Sequence, residues 1–267
     1  MVSASAITSP DVLGRHVADL RAAGRRALVV YVTAGHPDFD QSLELLRGLD
    51  EAGADVIELG VPFSDPMADG AVIQASSQRA LQQGMTLDRT LELAARARVR
   101  APVVLFSYLN PLLASRANLL DRAAECGVQG VLVTDLPVGA DPELEAWLGG
   151  GPLAFVRLVA PTTPRARMAE IARHGRGFVY LISRLGVTGE RGDVPDDLRA
   201  TVATLREVTS LPICVGFGIS RPEQAAAVGR LADGVVVGSA VVRAADRDIE
   251  AALSLVRSMR TSLDETS

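Results

Sequence analysis

Eight short runs of β-type residues recur along this chain. They lie at 27–33, 56–59, 102–108, 130–134, 154–159, 177–182, 212–215 and 234–237. Between the runs, apolar residues follow a helical spacing, as in Leu43, Leu46 and Leu49. This alternation is typical of a parallel sheet whose strands are joined by crossover helices. Eight such units predict an α/β protein with a closed (β/α)₈ TIM barrel rather than an open sheet.

The organisation of the chain indicates one domain. No linker, low-complexity run or block of charge interrupts residues 1–267, and a single barrel of this length is ordinary. Ahead of the first strand, Ser9, Pro10 and Asp11 offer an N-cap with proline at the first helical position. They predict an extra helix over about 10–23 that plugs the lower end of the barrel. A polar tail is expected over about 260–267.

Composition and charge limit the classes of protein to which this chain could belong. The formal net charge is -5, and no basic stripe with interleaved aromatic residues appears, which argues against nucleic acid as a partner. Cys126 and Cys214 are not spaced as metal ligands or as a redox pair, so both are expected to be buried thiols and no metal is expected. With neither a leader pattern nor a membrane-length apolar run, the sequence predicts a cytoplasmic enzyme.

Two carboxylates near the second strand are the main clue to chemistry. Glu58 lies near the carboxyl end of an apolar strand, and Asp69 follows eleven residues later in a loop rich in proline and glycine. In a barrel the carboxyl ends of the strands converge on one mouth, where function resides. Two readings stay open at this point. The pair could act in acid–base chemistry, or amides or a cation could satisfy Glu58 while Asp65 and Asp69 cap turns.

Other unusual residues also follow strands. Tyr108 and Asn110 close the third strand, Asp135 follows the fourth and Tyr180 lies near the end of the sixth. The polar, glycine-rich segment 184–193 comes next and is expected to form a mobile lid.

Two glycine-rich turns follow the last two strands, at 216–220 and 238–240. Glycine lets a backbone approach a ligand closely, and free amides at a helix start attract an anion, so both turns resemble phosphate cradles. The seventh and eighth strands are also where barrels commonly bind phosphate. The alternative is that glycine serves only the geometry of the turns.

Taken together, these segments resemble the α chain of tryptophan synthase from about Arg21 to Val242. The segments are Glu58 to Gly70, Ala160-Pro161-Thr162-Thr163-Pro164, Tyr180 to Gly189, Gly216-Phe217-Gly218 and Gly238-Ser239. The resemblance implies retro-aldol cleavage of indole-3-glycerol phosphate to indole and glyceraldehyde 3-phosphate, with no cofactor of the chain's own.

The resemblance also implies roles for individual residues. Glu58 would be the acid/base, Asp69 would stabilise charge on the indole nitrogen, and Tyr180 would lie near the reacting atoms. The expected phosphate ligands are Gly189, Gly218, Gly238 and Ser239. The expected indole pocket is Phe217, Phe106, Tyr108 and Tyr31, although Phe106 and Tyr31 could equally be barrel packing. The lid would contain Arg184, Gly186 and Thr188, with Thr188 over Asp69 unless it is a turn residue.

Family members dock on a pyridoxal-phosphate β chain in an α2β2 tetramer. The resemblance implies contacts through Pro62, Asp65, Pro66, Asn110 and Asp135. Two departures weaken this expectation. Val138-Gly139-Ala140 stands where acidic residues are expected, and Ala71 replaces a proline. A free-standing lyase that releases indole, a silent allosteric binding subunit and a barrel acting on other phosphosugars therefore stay as alternatives.

Histidine is a common acid/base, so the position of each histidine relative to the predicted mouth matters. His16 and His174 lie on predicted helices away from the mouth and are expected to be structural. His36 lies in the first strand-to-helix loop, where the family often has aspartate, and is a candidate for contact with the mouth or a partner.

Overall fold

Eight parallel strands form a closed barrel in chain order. The computed structural model describes residues 11–183, 196–216 and 218–266. The strands are β1 (Ala27–Thr33), β2 (Val56–Gly60), β3 (Val103–Ser107), β4 (Val128–Val133), β5 (Ala154–Val159), β6 (Val179–Ile182), β7 (Ile213–Gly216) and β8 (Gly234–Val237). Strand β8 pairs with β1 and closes the ring. The predicted (β/α)₈ barrel is confirmed, and every predicted strand end lies within two residues of the observed one.

Helices surround the barrel. Within the described residues they are α1 (Val12–Ala22), α2 (Phe39–Ala52), α3 (Ala71–Gln82), α4 (Leu87–Ala97), α5 (Leu109–Ala114), α6 (Leu119–Glu125), α7 (Pro142–Gly150), α8 (Arg165–Arg173), α9 (Asp196–Val208), α10 (Pro222–Gly229), α11 (Ser239–Ala245) and α12 (Ile249–Asp264). None of these described helices is long and apolar enough to cross a membrane.

Helix α1 closes the lower end of the barrel, as the sequence predicted. Leu13 and Val17 are fully buried among side chains of the barrel interior. Asp11 caps the helix, because one carboxylate oxygen accepts a 2.7 Å bond from the Gly14 amide. Its other oxygen accepts a 2.9 Å bond from the Gly177 amide, just before β6. The cap therefore fastens α1 to the lower rim.

Side-chain alternation along the strands decides which residues reach the interior. In β2, Val56 lies in the interior cluster, whereas Ile57 and Leu59 pack in the layer between sheet and helices. Because alternate residues of a strand share a face, Glu58 points into the barrel with Val56. The same alternation turns Tyr31 inward with Val29 on β1. The fold therefore places a carboxyl group and a phenol inside the barrel.

The chain end differs from the sequence-based expectation. Residues 260–264 belong to α12 rather than to a polar tail. Met259 and Leu263 are four residues apart, lie on one helix face and are fully buried. The polar residues between them concealed this apolar stripe from a reading by composition.

The buried carboxylate of Asp55 joins the lower ends of several elements. It accepts 2.8 Å bonds from the Leu28 amide of β1 and from the Arg260 guanidinium of α12. Arg25 donates a third bond of 3.1 Å. This network fixes α12 against the lower rim of the barrel.

Replacing Asp55 with alanine is expected to lower the free energy of unfolding by about 3 kcal/mol, because the buried Arg260 guanidinium loses its buried partner and keeps only the half-exposed Asp264, 2.7 Å from its Nη2 atom. Urea denaturation measures the change. Glu207→Ala is the matched control, since Glu207 and its partner Arg165 are both more than half exposed. The control is expected to cost less than about 1 kcal/mol. Equal losses in the two variants would contradict the role given to Asp55.

The two cysteines differ from each other. Cys214 is fully buried in the barrel interior, as expected. Cys126 is only partly buried at the end of α6, so the expectation of two buried thiols is wrong for this residue. The reason is that Cys126 lies at the C-cap, where the helix end remains partly open to solvent.

Candidate active site

Glu58 is a buried carboxyl group with no hydrogen-bond partner among the described residues. Its exposed fraction is 0%, and its register partners in the sheet are Tyr31 on β1 and Val104 on β3. The reading in which amides or a cation satisfy Glu58 is therefore wrong for the described part of the chain. Burial raises the pKa of Glu58 to about 8, so the carboxyl group is largely protonated at neutral pH.

Asp69 reaches the same region from the loop between β2 and α3. It is half-buried, and burial raises the pKa of its carboxyl group to about 6. A hydrogen bond from the Tyr108 hydroxyl acts in the opposite direction and lowers this pKa. The same hydroxyl accepts a 2.8 Å bond from the Ala68 amide. Tyr108 thus holds both the backbone and the side chain of the Asp69 loop, and the carboxylate has a partner outside its own turn.

Two further tyrosines line the interior above Val56. Tyr31 packs edge-on against Phe106, with ring centroids 5.1 Å apart. Tyr180 is buried on β6, beside Cys214 of β7 in the sheet register. Burial raises the pKa of both phenols, and the charges of Glu58 and Asp69 raise them further. The two tyrosines therefore stay neutral and lie within electrostatic range of both carboxyl groups.

Glycines make room for the two tyrosine hydroxyls. A Cβ atom at Gly216 would lie 2.5 Å from the Tyr180 hydroxyl, and a Cβ atom at Gly60 would overlap the Tyr31 hydroxyl. Any larger residue at these positions would displace the rings. The space between the rings and the two carboxyl groups thus depends on glycine at 60 and 216.

The two glycine-rich turns lie where the sequence placed them, after β7 and β8. Gly218 has φ +84°, a left-handed conformation that favours glycine. Gly238 is the N-cap of α11 and Ser239 its first residue, and no side chain caps the helix. A Cβ atom at Gly238 would lie 3.3 Å from the Tyr31 Cβ, so this turn packs directly against β1.

Several predicted site residues lie outside the described residues. They are Arg184, Gly186, Thr188, Gly189 and Phe217. The lid and part of the indole and phosphate sites therefore stay predictions.

The predicted partner-facing residues lie around the mouth, not inside it. Asp65, Asn110 and Asp135 are exposed, and Pro66 is partly exposed. Asp135 accepts a 2.7 Å bond from the Leu109 amide and so joins the loops after β3 and β4. Pro62 is buried at the start of its loop, which limits it to shaping the loop rather than forming an open contact.

Sequence reasoning missed some contacts that hold the site. The Thr33 hydroxyl lies 2.7 Å from the Ser76 hydroxyl and links the end of β1 to α3, just after the Asp69 loop. The Phe63 and Tyr108 rings also pack together, with centroids 5.1 Å apart. The position of Thr33, two residues after the inward Tyr31, was a usable signal for its direction. Nothing local in the sequence indicated Ser76 as its partner.

A groove of about 490 Å³ lies outside the barrel between α7 and α8. Its two carboxylates are both paired at 2.7 Å, Glu145 with Arg157 and Glu170 with Arg167. The groove therefore offers less suitable acid–base chemistry than the mouth, where Glu58 is buried without such a partner.

The closed barrel and its buried carboxyl group define a (β/α)₈-barrel enzyme. A model of the family described as tryptophan synthase alpha chain matches residues 17–266. The chain belongs to the tryptophan synthase α chain family, and it is an α subunit and a lyase of tryptophan biosynthesis.

Individual relatives agree with the family match. The tryptophan synthase alpha chain of Citrifermentans bemidjiense is 50% identical over 229 residues, which are 85% of this chain and 86% of the relative. That of Desulfatibacillum aliphaticivorans is 47% identical over 234 residues, covering 86% and 88%. The solved alpha subunit from Legionella pneumophila superimposes with a TM-score of 0.86 at 34% identity, covering 95% of this chain and 98% of that one. A tryptophan synthase structure from M. tuberculosis gives 0.85 at 30%, covering 94% and 98%.

Proposed function

We propose that this chain cleaves indole-3-glycerol phosphate to indole and D-glyceraldehyde 3-phosphate at the barrel mouth. The observation that carries the proposal is Glu58, a fully buried carboxyl group without a hydrogen-bond partner among the described residues. Burying a carboxyl group in this way costs free energy, which favours a functional reason for keeping it. Membership of the tryptophan synthase α chain family supplies the reaction class.

Glu58 is the proposed proton carrier. Its raised pKa leaves a proton available to indole C3, and protonation there puts positive charge on the ring nitrogen. The resulting carboxylate then removes the proton from the hydroxyl group on the adjacent side-chain carbon. That carbon becomes a carbonyl, the carbon–carbon bond breaks, and its electron pair returns to the ring. One proton enters and one leaves, so Glu58 ends the cycle protonated.

Asp69 is the proposed partner of the indole N–H. Its carboxylate would stabilise the positive charge that develops on the ring when C3 is protonated. The pKa of about 6 leaves Asp69 largely ionised at neutral pH, as this role requires. Two carboxyl groups in one site would thus differ in protonation, because Glu58 is more deeply buried.

Replacing Tyr108 with phenylalanine is expected to raise the pKa of Asp69 above its present value, because the Tyr108 hydrogen bond lowers it. The ionised form would then be lost at a higher pH. The acidic limb of the kcat/KM profile for indole-3-glycerol phosphate is therefore expected to move to higher pH. Tyr108→Phe with an unchanged acidic limb would contradict the assigned contact or the need for ionised Asp69.

The roles of the other site residues are proposed from their positions at the barrel mouth. The glycine turns at Gly218 and Gly238, with Ser239, would bind the substrate phosphate through backbone amides and the serine hydroxyl. Tyr31, Phe106 and Tyr180 would surround the indole ring, whose reacting edge then faces Glu58. We also propose that the segment containing Thr188 and Gly189 covers the bound substrate and excludes water.

We propose a tryptophan synthase β chain as the protein partner. The loop around Asp65 supports this proposal, because Met67 is 93% exposed and a large exposed apolar side chain beside a site suits an interface. M. tuberculosis structures similar to this chain carry the name tryptophan synthase. Val138-Gly139-Ala140 favours the second candidate, a free-standing lyase, because this stretch offers the partner no acidic side chain.

The rate of indole release from indole-3-glycerol phosphate by the purified chain tests these proposals. Slow turnover that rises when a β chain is added would support a partner-dependent subunit. Fast turnover that is indifferent to the β chain would support the free-standing lyase. No indole in either case would contradict both candidates and favour a silent binding subunit. Competition by indole-propanol phosphate, but not by simple sugar phosphates, would exclude another phosphosugar barrel.

A further inference from the structure

The groove between α7 and α8 has no part in the proposed reaction. Its volume is about 490 Å³. Clefts that bind small molecules are typically about 300–1,000 Å³, with mostly apolar walls and a few polar groups. Pro142, Ala146 and Gly149 line one side of the groove and lie three or four residues apart, so they share a face of α7. The groove therefore has the size and one apolar wall that suit a small organic molecule.

The floor of the groove is already built. Arg157 on β5 is 4% exposed, and each nitrogen of its guanidinium has an acceptor. Nη2 donates to Glu145 at 2.7 Å, Nη1 to the Leu136 carbonyl at 3.2 Å and Nε to the His174 carbonyl at 3.3 Å. The guanidinium also stacks over the Phe155 ring, with Cζ 3.8 Å from the centroid. A ligand consequently finds a floor that it does not have to order.

The carboxylate on this floor is fully engaged. One oxygen of Glu145 accepts from Arg157, and the other accepts a 2.6 Å bond from the Gly139 amide in the loop after β4. Arg167 donates to the Val138 carbonyl and holds the same loop. These bonds fix the wall formed by Val138 and Gly139. They also leave Glu145 with little capacity to bind a cation.

The charges that remain at the groove are positive. Arg173 and Arg176 line it, and neither forms an ion pair among the described residues. The nearby carboxylate of Glu170 is already paired with Arg167 at 2.7 Å. That hydrogen bond lowers the pKa of Glu170, and the charge of Arg173 lowers it further. The whole chain has a formal net charge of -5, so the groove is a local exception that favours an anion.

The two arginines are differently placed for such a ligand. Arg173 is exposed, and its Nε donates a 3.3 Å bond to the Ala169 carbonyl one turn earlier in α8, which leaves both Nη groups for a ligand. Arg176 is partly buried, and its Nε has no hydrogen-bond partner among the described residues. A guanidinium without its full set of acceptors is stabilised by a neighbouring negative charge.

We propose that this groove is a binding site for a small organic anion with an apolar, aromatic body. The charged group binds beside Arg173 and Arg176, and the body packs on the α7 face of Pro142 and Ala146. The site lies outside the barrel, so it is separate from the proposed active site at the mouth.

The fluorescent anion 8-anilinonaphthalene-1-sulfonate is a suitable probe, because it joins a sulfonate to an aromatic body. Trp147 is the only tryptophan of the chain and lies on α7. The purified chain is expected to raise the emission of the probe, with energy transfer from Trp147. Saturating indole-propanol phosphate is expected to leave this emission unchanged, because it occupies the mouth. Millimolar sulfate is expected to leave it unchanged as well, because sulfate has no apolar body.

Three variants locate the probe. Arg173→Leu removes one positive charge and is expected to raise the Kd of the probe about tenfold. Arg165→Leu is the matched control, since it makes the same change on α8 at a residue that is 62% exposed and does not line the groove. The control is expected to keep the Kd within about twofold. Ala146→Phe fills the groove from α7 and is expected to raise the Kd at least about tenfold.

The thermal unfolding of each variant shows whether the fold is kept. Weaker binding in Arg173→Leu and Ala146→Phe, at an unchanged Tm and with the control unaffected, would support the proposal. An unchanged Kd in either groove variant, equal weakening in the control, absence of emission, or displacement of the probe by indole-propanol phosphate or sulfate would overturn it. Indole release by the unchanged protein tests the proposed reaction separately, so the two proposals can fail independently.

Discussion

Replacing Glu58 with glutamine is expected to lower indole release by at least about 10²-fold, because glutamine keeps the shape of the side chain but cannot carry the proton. The loss should appear in kcat rather than in KM, since Glu58 acts on the proton transfers and not on the phosphate. Steady-state turnover of indole-3-glycerol phosphate, with a β chain present, measures the effect. Glu51→Gln is the control, because it makes the same chemical change at an exposed position of α2. Undiminished turnover in Glu58→Gln would remove Glu58 from the mechanism.

The same variant should also become more stable than the unchanged protein as pH rises. The ordinary glutamate pKa is 4.5, whereas the folded protein holds Glu58 at about 8. Between these values the folded state binds a proton that the unfolded state has lost, so the stability of the unchanged protein falls as pH rises. Glutamine does not titrate and avoids this loss. The Tm advantage of Glu58→Gln is expected to be small near pH 4 and to grow toward pH 8.

Thermal unfolding separates the two roles of this carboxyl group. A lower activity together with a Tm advantage that grows with pH would be the signature of a buried acid retained for catalysis. A Tm difference that does not vary with pH would contradict the raised pKa of Glu58. Turnover and the pH dependence of Tm therefore test the consequences of burying Glu58 independently of each other.

Replacing Asp69 with asparagine is expected to lower kcat by about 10²- to 10³-fold. This is the range seen when one preorganised electrostatic contact to a transition state is removed. The side chain can still accept the Tyr108 hydrogen bond, so the loop should keep its conformation. Only the negative charge beside the proposed indole N–H is lost. Turnover of indole-3-glycerol phosphate under saturating substrate measures the change, with Asp121→Asn on the exposed face of α6 as the control.

The pH profile provides the second readout for Asp69. In the unchanged protein, activity is expected to fall as pH drops through about 6, because the carboxylate becomes protonated. The residual activity of Asp69→Asn should lack this acidic limb. An Asp69→Asn variant that keeps both high turnover and the acidic limb would show that another group titrates there.

Strand spacing was sufficient to predict the barrel, because each strand is a short apolar run between helical stretches. The direction of Glu58 was also accessible from sequence, since Val56 and Glu58 must share a strand face. The contact of Tyr108 with the Asp69 loop was not accessible in this way. Through one hydroxyl group it joins Ala68 and Tyr108, which are forty positions apart, and no local pattern encodes such a pairing.

The remaining differences have similar physical causes. The end of α12 was hidden because Met259 and Leu263 are the apolar residues of its buried face, beside the buried Arg260 and among polar neighbours. Burial of Pro62 could not be predicted from a motif that describes the whole loop as an interface. His36 lies in the loop after β1, as the sequence indicated, but its side chain lies 3.1 Å from Asp246 at the end of α11, about two hundred residues further along the chain, and no local pattern encodes this proximity.

The fit of Gly60 against the Tyr31 hydroxyl restricts the order in which this site could change during evolution. Alanine at position 60 would collide with the phenol oxygen and also with the Tyr31 Cζ and Cε2 atoms at 2.6 and 2.7 Å, so the space opens only when the ring itself is replaced by a smaller side chain. Replacement of Gly60 is therefore blocked while Tyr31 is present and becomes possible after Tyr31 has been replaced. A double-mutant cycle of the two positions would record this dependence as coupling. Gly216 is constrained by two neighbours, because a Cβ atom there would lie 2.5 Å from the Tyr180 hydroxyl and 2.8 Å from the Val236 Cβ. The substitutions open to the pocket therefore depend on its history, because each glycine can be replaced only after the side chains that face it have become smaller.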